Sequence, residues 1–383
     1  MMIQFIYMKK ILLLIPAFIL ILSFFTSYSF AQEVHEDFQG TYRAEIKEIL
    51  GEVSREIWND TSVVYKEIQI EFFDGPKEGE SVIFESDFPE IKEGLNIFVN
   101  HHIYISGEEV FTITNIDRRA QIYFFVGLFI FSIILLGGKQ GIRSLLSLVL
   151  SFLTIFYVLL PGILNGWSPL VASFLVASII LFFAIFFTHG WNRESSVAFF
   201  GTMFSVFLTS ILAVIAVKST YLSGFATDGT TSLYFNTGGT LDFTGLLLGA
   251  IIIGVLGVLD DIAVTQAAVV SELYNSNSKI KPIEVYKRAM RVGREHVGAL
   301  VNTLVLAYTG TALPLLLLFK TREYSFTTAI NLEIFTTEII RTIVGSIGLI
   351  ITVPIVTLLA VYFLKDYKPK HKNSHSHGHS HSH

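Results

Sequence analysis

Gly254-Val-Leu-Gly257-Val-Leu-Asp260-Asp261-Ile-Ala-Val-Thr265-Gln266 sets two adjacent carboxylates inside an apolar run, 245–270, long enough to cross a bilayer. An ionised side chain at membrane depth costs at least roughly 2.5–3.5 kcal/mol on insertion scales, so it is expected to face a protein interior or a wet cavity. The stretch decides two matters together. The chain reads as a polytopic α-helical membrane protein, and Asp260 and Asp261 mark where its chemistry is to be sought.

Along the same helix Gly254, Gly257, Asp261, Thr265, Ala268 and Glu272 recur at steps of three or four, which places them on one face. That face is expected to pack on the two later runs richest in polar residues. One offers Asn302, Thr303, Tyr308, Thr309 and Thr311, the other Arg341, Thr342, Gly345, Gly348 and Thr352. Oxygen ligands of this kind suit a hard cation or a proton. The predicted site therefore comprises Asp261 as principal ligand, Asp260, Thr265, Gln266, Asn302 and Tyr308 beside it, and Arg341 as counter-charge. Plainer readings stand next to this one. Glycines and threonines at helical spacing also serve close helix packing. Asp260 lies about 22 Å along the helix from Gly245, where snorkelling to water on the inner side competes with burial. The surplus length of the run, with Gly249, Gly254 and Gly257, leaves a tilt or a break near Leu259 open.

Composition agrees with the membrane reading. Hydrophobic residues make up 52% of the 383, charged residues only 15%, and there are 34 Phe; the mean hydropathy is +0.59. The apolar residues come in blocks of about 20, the length that spans hydrocarbon as a helix. Seven spans are predicted, at 120–137, 144–164, 169–188, 196–217, 244–270, 297–319 and 341–364. The segment 327–340, with Asn331, Glu333 and Glu338, reads as an interfacial or a re-entrant helix. With the amino end outside, the inner segments carry thirteen basic residues: Lys139, Arg143, Arg193, Lys279, Lys281, Lys287, Arg288, Arg291, Arg294, Lys365, Lys368, Lys370 and Lys372. The short outer loops carry Lys218, Lys320 and Arg322. The positive-inside rule selects this orientation, against which only Arg118 and Arg119 stand.

The net charge of −5 conceals an asymmetry: residues 32–119 hold 20 acidic against 8 basic side chains. No basic footprint for nucleic acid is present. Lys9 and Lys10, an apolar stretch at 11–25 and Ser29-Phe30-Ala31 form a secretory signal peptide or an uncleaved anchor, 1–31. Either puts 32–119 outside. That segment alternates at Ile68, Ile70 and Phe72 and around Ile103 and Ile105, has turn residues at Asp74-Gly75-Pro76 and Ser106-Gly107, and ends in a β-branched run, 110–116. A small extracytoplasmic β-barrel is predicted. His101 and His102 can be half a metal site, although neighbours on a strand point to opposite faces. There is no cysteine, hence no disulfide framework and no thiol site.

The helical bundle, 120–364, is followed by a tail, 365–383, that reads as cytoplasmic. There His375, His377, His379, His381 and His383 alternate with Ser or Gly, and period-two spacing projects their imidazoles to one side of an extended chain, a donor set for a divalent metal. No Gly-x-Ser-x-Gly elbow, His-Glu-x-x-His or phosphate loop is present, no aspartate outside the pair lies in a span, and the last span lacks a lysine for retinal. The expectation is therefore not an enzyme. It is a secondary transporter or permease for a cation or small solute, in contact with the lipid bilayer and with self-association as a homo-oligomer open. The alternative is a non-transport accessory protein whose external β domain binds a partner or envelope component.

Several of these stretches are similar to a known pattern. The quoted run with Glu272, then Gly293-Arg294, Asn302-Thr303-Leu-Val-Leu-Ala-Tyr308-Thr-Gly310, Glu338 with Arg341, Gly345-Ser-Ile-Gly348 and Thr352-Val-Pro354 resemble the YibE/F-like family of bacterial multi-pass membrane proteins. The resemblance extends over nearly the whole chain after the signal, and implies an external β-rich domain followed by a bundle in the plasma membrane. In the family pattern one aspartate stands at the position of Asp261. The family implies architecture and no particular activity, so the transport expectation comes from the polar spans.

Overall fold

The computed structural model describes residues 38–58, 61–104, 107–277, 279–321 and 325–365. The signal or anchor at 1–31 and the tail histidines 375, 377, 379, 381 and 383 lie outside the described residues. The chain divides between Ser132 and Ile133 into two compact units.

The first unit contains five antiparallel strands: β1 (Phe38–Trp58), β2 (Thr61–Phe72), β3 (Ser81–Ser86), β4 (Asn96–Ile103) and β5 (Glu109–Ile116). Their order across the sheet is β3-β2-β1-β4-β5. Alternation dictates the core: Ala44 pairs with Phe72 on one side and Ile97 on the other, Ile46 pairs with Ile70, and all five are buried on one face with Ile68 and Val99. Each large aliphatic side chain buried this way contributes roughly 1.5–3 kcal/mol. The turn after β2 forms where Gly75 takes φ 89°, which favours glycine, while Asp74 accepts hydrogen bonds from the Arg43 amide (2.7 Å) and Nε (2.6 Å). The expected barrel is a half-barrel. Its edge strands β3 and β5 meet through the rings of Phe84 and Phe111, 6.0 Å apart, with no backbone ladder between them. His101 is buried and stacks on Phe111, whereas His102 packs its edge on Tyr104, so the two imidazoles do not converge.

The helical elements are α1 (Arg119–Leu164), α2 (Pro169–Phe187), α3 (Arg193–Ser219), α4 (Asp228–Asn236), α5 (Phe243–Ser276), α6 (Pro282–Thr311), α7 (Leu313–Thr321), α8 (Phe326–Ile330) and α9 (Glu333–Phe363). Five of them, α1, α2, α3, α5 and α9, are long and apolar enough to cross a membrane, six if α6 and α7 count as one span bent by 59°. Seven separate runs were expected. The first two, 120–137 and 144–164, fall together in α1, which is interrupted at Gly138 (φ 52°, ψ −130°). The bend is sharp, because a Cβ on Gly141 would touch the carbonyl of Ile133, eight residues earlier. Further on, the wide π turn of Ile155–Leu159 precedes Pro161, which has no N–H to return to the carbonyl four residues before it.

The bundle is built on α5, which packs against α2, α3, α6 and α9. Helices in lipid gain little from hiding apolar surface and depend on close fit. Small residues supply it: a Cβ at Gly345 would strike Val255, one at Gly201 would strike Val356, and one at Gly348 would strike Thr209. The possible break near Leu259 does not occur, and α5 is continuous over 34 residues, capped by the Asp242 carboxylate on the Gly245 amide. The ambiguous segment 327–340 resolves into the short α8 and the first turns of α9.

Candidate functional site

The face of α5 that carries the acidic pair is the least covered side of that helix: Ala250, Gly254, Gly257, Asp261 and Ala268 are exposed while most other faces are buried. A cavity of about 490 Å³ opens there. Asp260, Asp261, Thr265 and Gly257 line it from α5, Ser144, Ser147 and Ser151 from α1, and Thr188 and His189 from the end of α2. The serines stand at i, i+3 and i+7, hence on one face of α1. Ser147 is buried and its carbonyl accepts the Ser151 hydroxyl at 2.9 Å. Asp260 is half-buried, and among the described residues neither carboxylate has a cationic partner in an ion pair. Partial burial holds the His189 imidazole below its ordinary pKa, and the charge of Asp261 acts in the opposite direction. A larger cavity of about 620 Å³, lined by Arg193, Ser196, Val197, Phe200, Leu359 and Phe363, holds no carboxylate. We therefore assign the candidate site to the smaller one, where the acids converge.

The depth of the pair follows from its neighbour. A Cβ at Gly245 would meet Pro169 and one at Gly249 would meet Ser173, so α2 starts beside the first turns of α5 and runs parallel to it. After 19 residues, about 28 Å, α2 ends at the level of Asp260 and Asp261. That length matches the hydrocarbon thickness of about 30 Å. The acids thus lie level with the end of the shortest apolar helix, not at its middle, while α5 continues for another 15 residues past Asp261.

Of the expected site residues, only Asp260, Asp261 and Thr265 come together here. Gln266 points about 100° away from Thr265 around the helix. It is fully buried and its Nε2 donates to the Ala289 carbonyl (2.9 Å) and the Thr357 hydroxyl (2.8 Å), tying α5 to α6 and α9. Asn302 is exposed, two residues from Leu304, which packs inward against the Gly345 backbone. Arg341 does not neutralise the acids. Its Nη1 donates to Glu338 Oε1 at 2.6 Å, one turn back on α9. Gly345 meets Val255, so Arg341, four residues earlier, stands roughly ten residues or about 15 Å along α5 from Asp261. Tyr308 belongs with this second centre: it shares with Glu338 a cavity of about 430 Å³ at the α6–α7 bend. Its hydroxyl is 2.9 Å from where a Cβ on Gly254 would stand.

Sequence reasoning missed Ser144, Ser147, Ser151, Thr188 and His189. The serine spacing in an apolar run was a legible sign; nothing in the sequence joins that face to Asp260. Among the described residues no three His, Asp or Glu side chains gather into a metal-binding group.

With this geometry in view, comparison with protein families is informative: residues 125–366 match the family model described as YibE/F-like protein. The chain belongs to the YibE/F-like family. The match takes in every residue of both polar centres. It stops short of the β half-barrel, so family membership rests on the helical part and not, as expected, on nearly the whole chain after the signal. Comparison with curated proteins and with solved structures yields no match.

Proposed function

We propose that this YibE/F-like protein is a permease for a cation or small solute, with Asp261 as principal ligand. The observation that carries the reading is the cavity in which two carboxylates meet three serines, Thr188, Thr265 and His189 with, among the described residues, no cationic partner paired to the acids. Acids that line a cavity at the inner end of a membrane bundle are candidate stations on an ion or solute path. An arriving cation would supply the missing positive charge. The serine and threonine hydroxyls add the neutral oxygen ligands that a hard cation takes alongside carboxylates.

In this reading α1 is two spans, because 46 residues would extend about 69 Å, twice what hydrocarbon requires. Together with the bent α6–α7 pair, that makes seven. The amino-terminal half-barrel then lies outside a bacterial plasma membrane and the histidine-rich tail inside, as the basic residues favour. His189 and the acidic pair stand at the cytoplasmic end, and the protein acts without catalysing a covalent reaction.

Flux of monovalent and divalent cations into proteoliposomes holding the full chain tests this. Flux of at least one cation, lost in a folded Asp261→Asn variant, is the expected result. A flux indifferent to that substitution overturns the assignment. The accessory reading is favoured by one observation, the β half-barrel as a compact unit outside the family match. It predicts no flux, a cellular phenotype untouched by Asp261→Asn, and loss of that phenotype on deleting 32–119.

A further inference from the structure

Two cavities flank one helical turn of α5. The acidic cavity reaches Gly257, and the cavity at the α6–α7 bend reaches Tyr308, whose hydroxyl lies over Gly254. Gly254 and Gly257 are three residues apart on the same face, about 4.5 Å along the axis. Tyr308, a wall residue of the bend cavity, thus stands one turn from the part of α5 that lines the acidic cavity. A Cβ at 254 would stand 2.9 Å from the hydroxyl, so a side chain there would push the phenol aside. At Gly257 nothing stands within 4 Å of an added Cβ, so the surface beyond the phenol is open.

The bend cavity is more than packing waste. Glu338 contributes a carboxylate to its wall, with Thr309 and Thr342 beside it, and the Arg341–Glu338 pair stands at its edge. Ionisable residues inside the span of a membrane helix are costly, and by default they mark a path or a switch. The cavity is bounded by α7 and α8, short helices set off by the 59° bend, at the end of the bundle opposite His189.

We propose that the bend cavity is the outer half of the path whose inner half is the acidic cavity, and that Tyr308 over Gly254 is the gate between them. The proposal rests on the permease reading and gives it a second station. Closed, the phenol isolates Asp260 and Asp261 from the outer side. A swing of its side chain joins the two volumes along the bare backbone between Gly254 and Gly257.

Because the chain contains no cysteine, single-cysteine variants report access without background. Thr309→Cys probes the bend cavity and Gly257→Cys, for which there is space, the acidic one. The probe is a membrane-impermeant methanethiosulfonate applied to one face of sealed vesicles. With Tyr308 present, each cysteine is labelled from one face only, and the faces are opposite. Tyr308→Phe keeps that pattern, since the ring stays. Tyr308→Ala, and Tyr308→Leu as a variant that preserves more packing, let the Gly257→Cys thiol react from the Thr309 side about tenfold faster, which corresponds to about 1.4 kcal/mol of closure. Both cysteines labelled from the same face, or sidedness unchanged in both opened variants while Thr309→Cys still labels normally, overturns the gate. Both labels exchanging faces leaves the gate intact and inverts the orientation. The readout is labelling, so it is independent of whether any cation flux is found.

Discussion

About 15 Å apart along α5, two polar centres solve the problem of charge in an apolar bundle in opposite ways. At the bend, Arg341 and Glu338 sit one turn apart on α9 and neutralise each other locally at 2.6 Å. In the acidic cavity, Asp260 and Asp261 are adjacent carboxyls with hydroxyls and an imidazole around them and, among the described residues, no cationic partner in an ion pair. A self-paired centre is complete when empty, whereas an unpaired one is complete only when something positive occupies it. Under the proposed permease reading, ligand binding falls to the aspartates and a standing structural or gating part to the ion pair.

The comparison breaks most visibly in transport. Asp261→Asn should reduce cation flux in proteoliposomes to that of empty vesicles with little change in thermal stability, because it removes charge without severing an ion pair. If the variant instead unfolds while flux per folded molecule persists, the aspartate is structural and the contrast fails. The reverse profile is expected at the bend. Arg341→Gln leaves Glu338 without its partner and should cost roughly 3 kcal/mol, the lower end for a severed buried pair, since the side chains retain 23% and 28% of their exposure. Adding Glu338→Gln should restore most of that loss, read as a double-mutant cycle from thermal midpoints in detergent. Additive losses would show that the two groups do not depend on each other.

Gln266 sharpens the contrast by serving neither centre. Its amide bridges three helices, and its Oε1 is buried without a hydrogen-bond partner among the described residues. Gln266→Leu removes the amide together with that unmet acceptor, so a cost of only about 1 kcal/mol is expected, seen in the same thermal assay. Flux should remain. A Gln266→Leu protein of normal stability and no flux would return this residue to the ligand set.

Which parts of this were legible in sequence follows from the range of the interactions. Alternation at Ile68, Ile70 and Phe72 and the apolar blocks are local, period-two and span-length features, and the half-barrel and the long helices follow them. The Arg341–Glu338 pair was equally local at i, i+3. The longer-range pairing of Arg341 to Asp261 competes with it in sequence, and the packing of Gly345 on Val255 rules that pairing out by level. The adjacency of Thr265 and Gln266 suggested a shared role, yet one residue is about a 100° turn on a helix, enough to send one side chain to a cavity and the other to the core. Which helix end would cover the aspartates depends on tertiary neighbours. Ser144 and His189 are 45 positions apart and lie 116 and 71 positions before Asp260, and no periodicity links them.

The smallest effect calibrates the pairing outside the membrane. Asp117, just before α1, accepts a hydrogen bond from Arg119 Nε at 2.8 Å, and that side-chain bond is the main reason its carboxyl pKa falls from the usual 3.8 to about 2. A carboxyl depressed in the folded state contributes stability that is fully present above its unfolded value and is lost as pH falls through the folded one. Hydrogen exchange of the strand amides in the full chain, corrected for intrinsic rates, should therefore show a small loss of protection between pH 3.8 and about 2 that Asp117→Asn removes. Surface pairs are worth roughly 0–1 kcal/mol, so the difference should stay inside that range. If severing this aqueous pair costs as much as severing Arg341–Glu338, then placement among the helices adds nothing to the value of a matched pair. The distinction between the self-neutralised centre and the open acidic one would then rest on ligand binding alone.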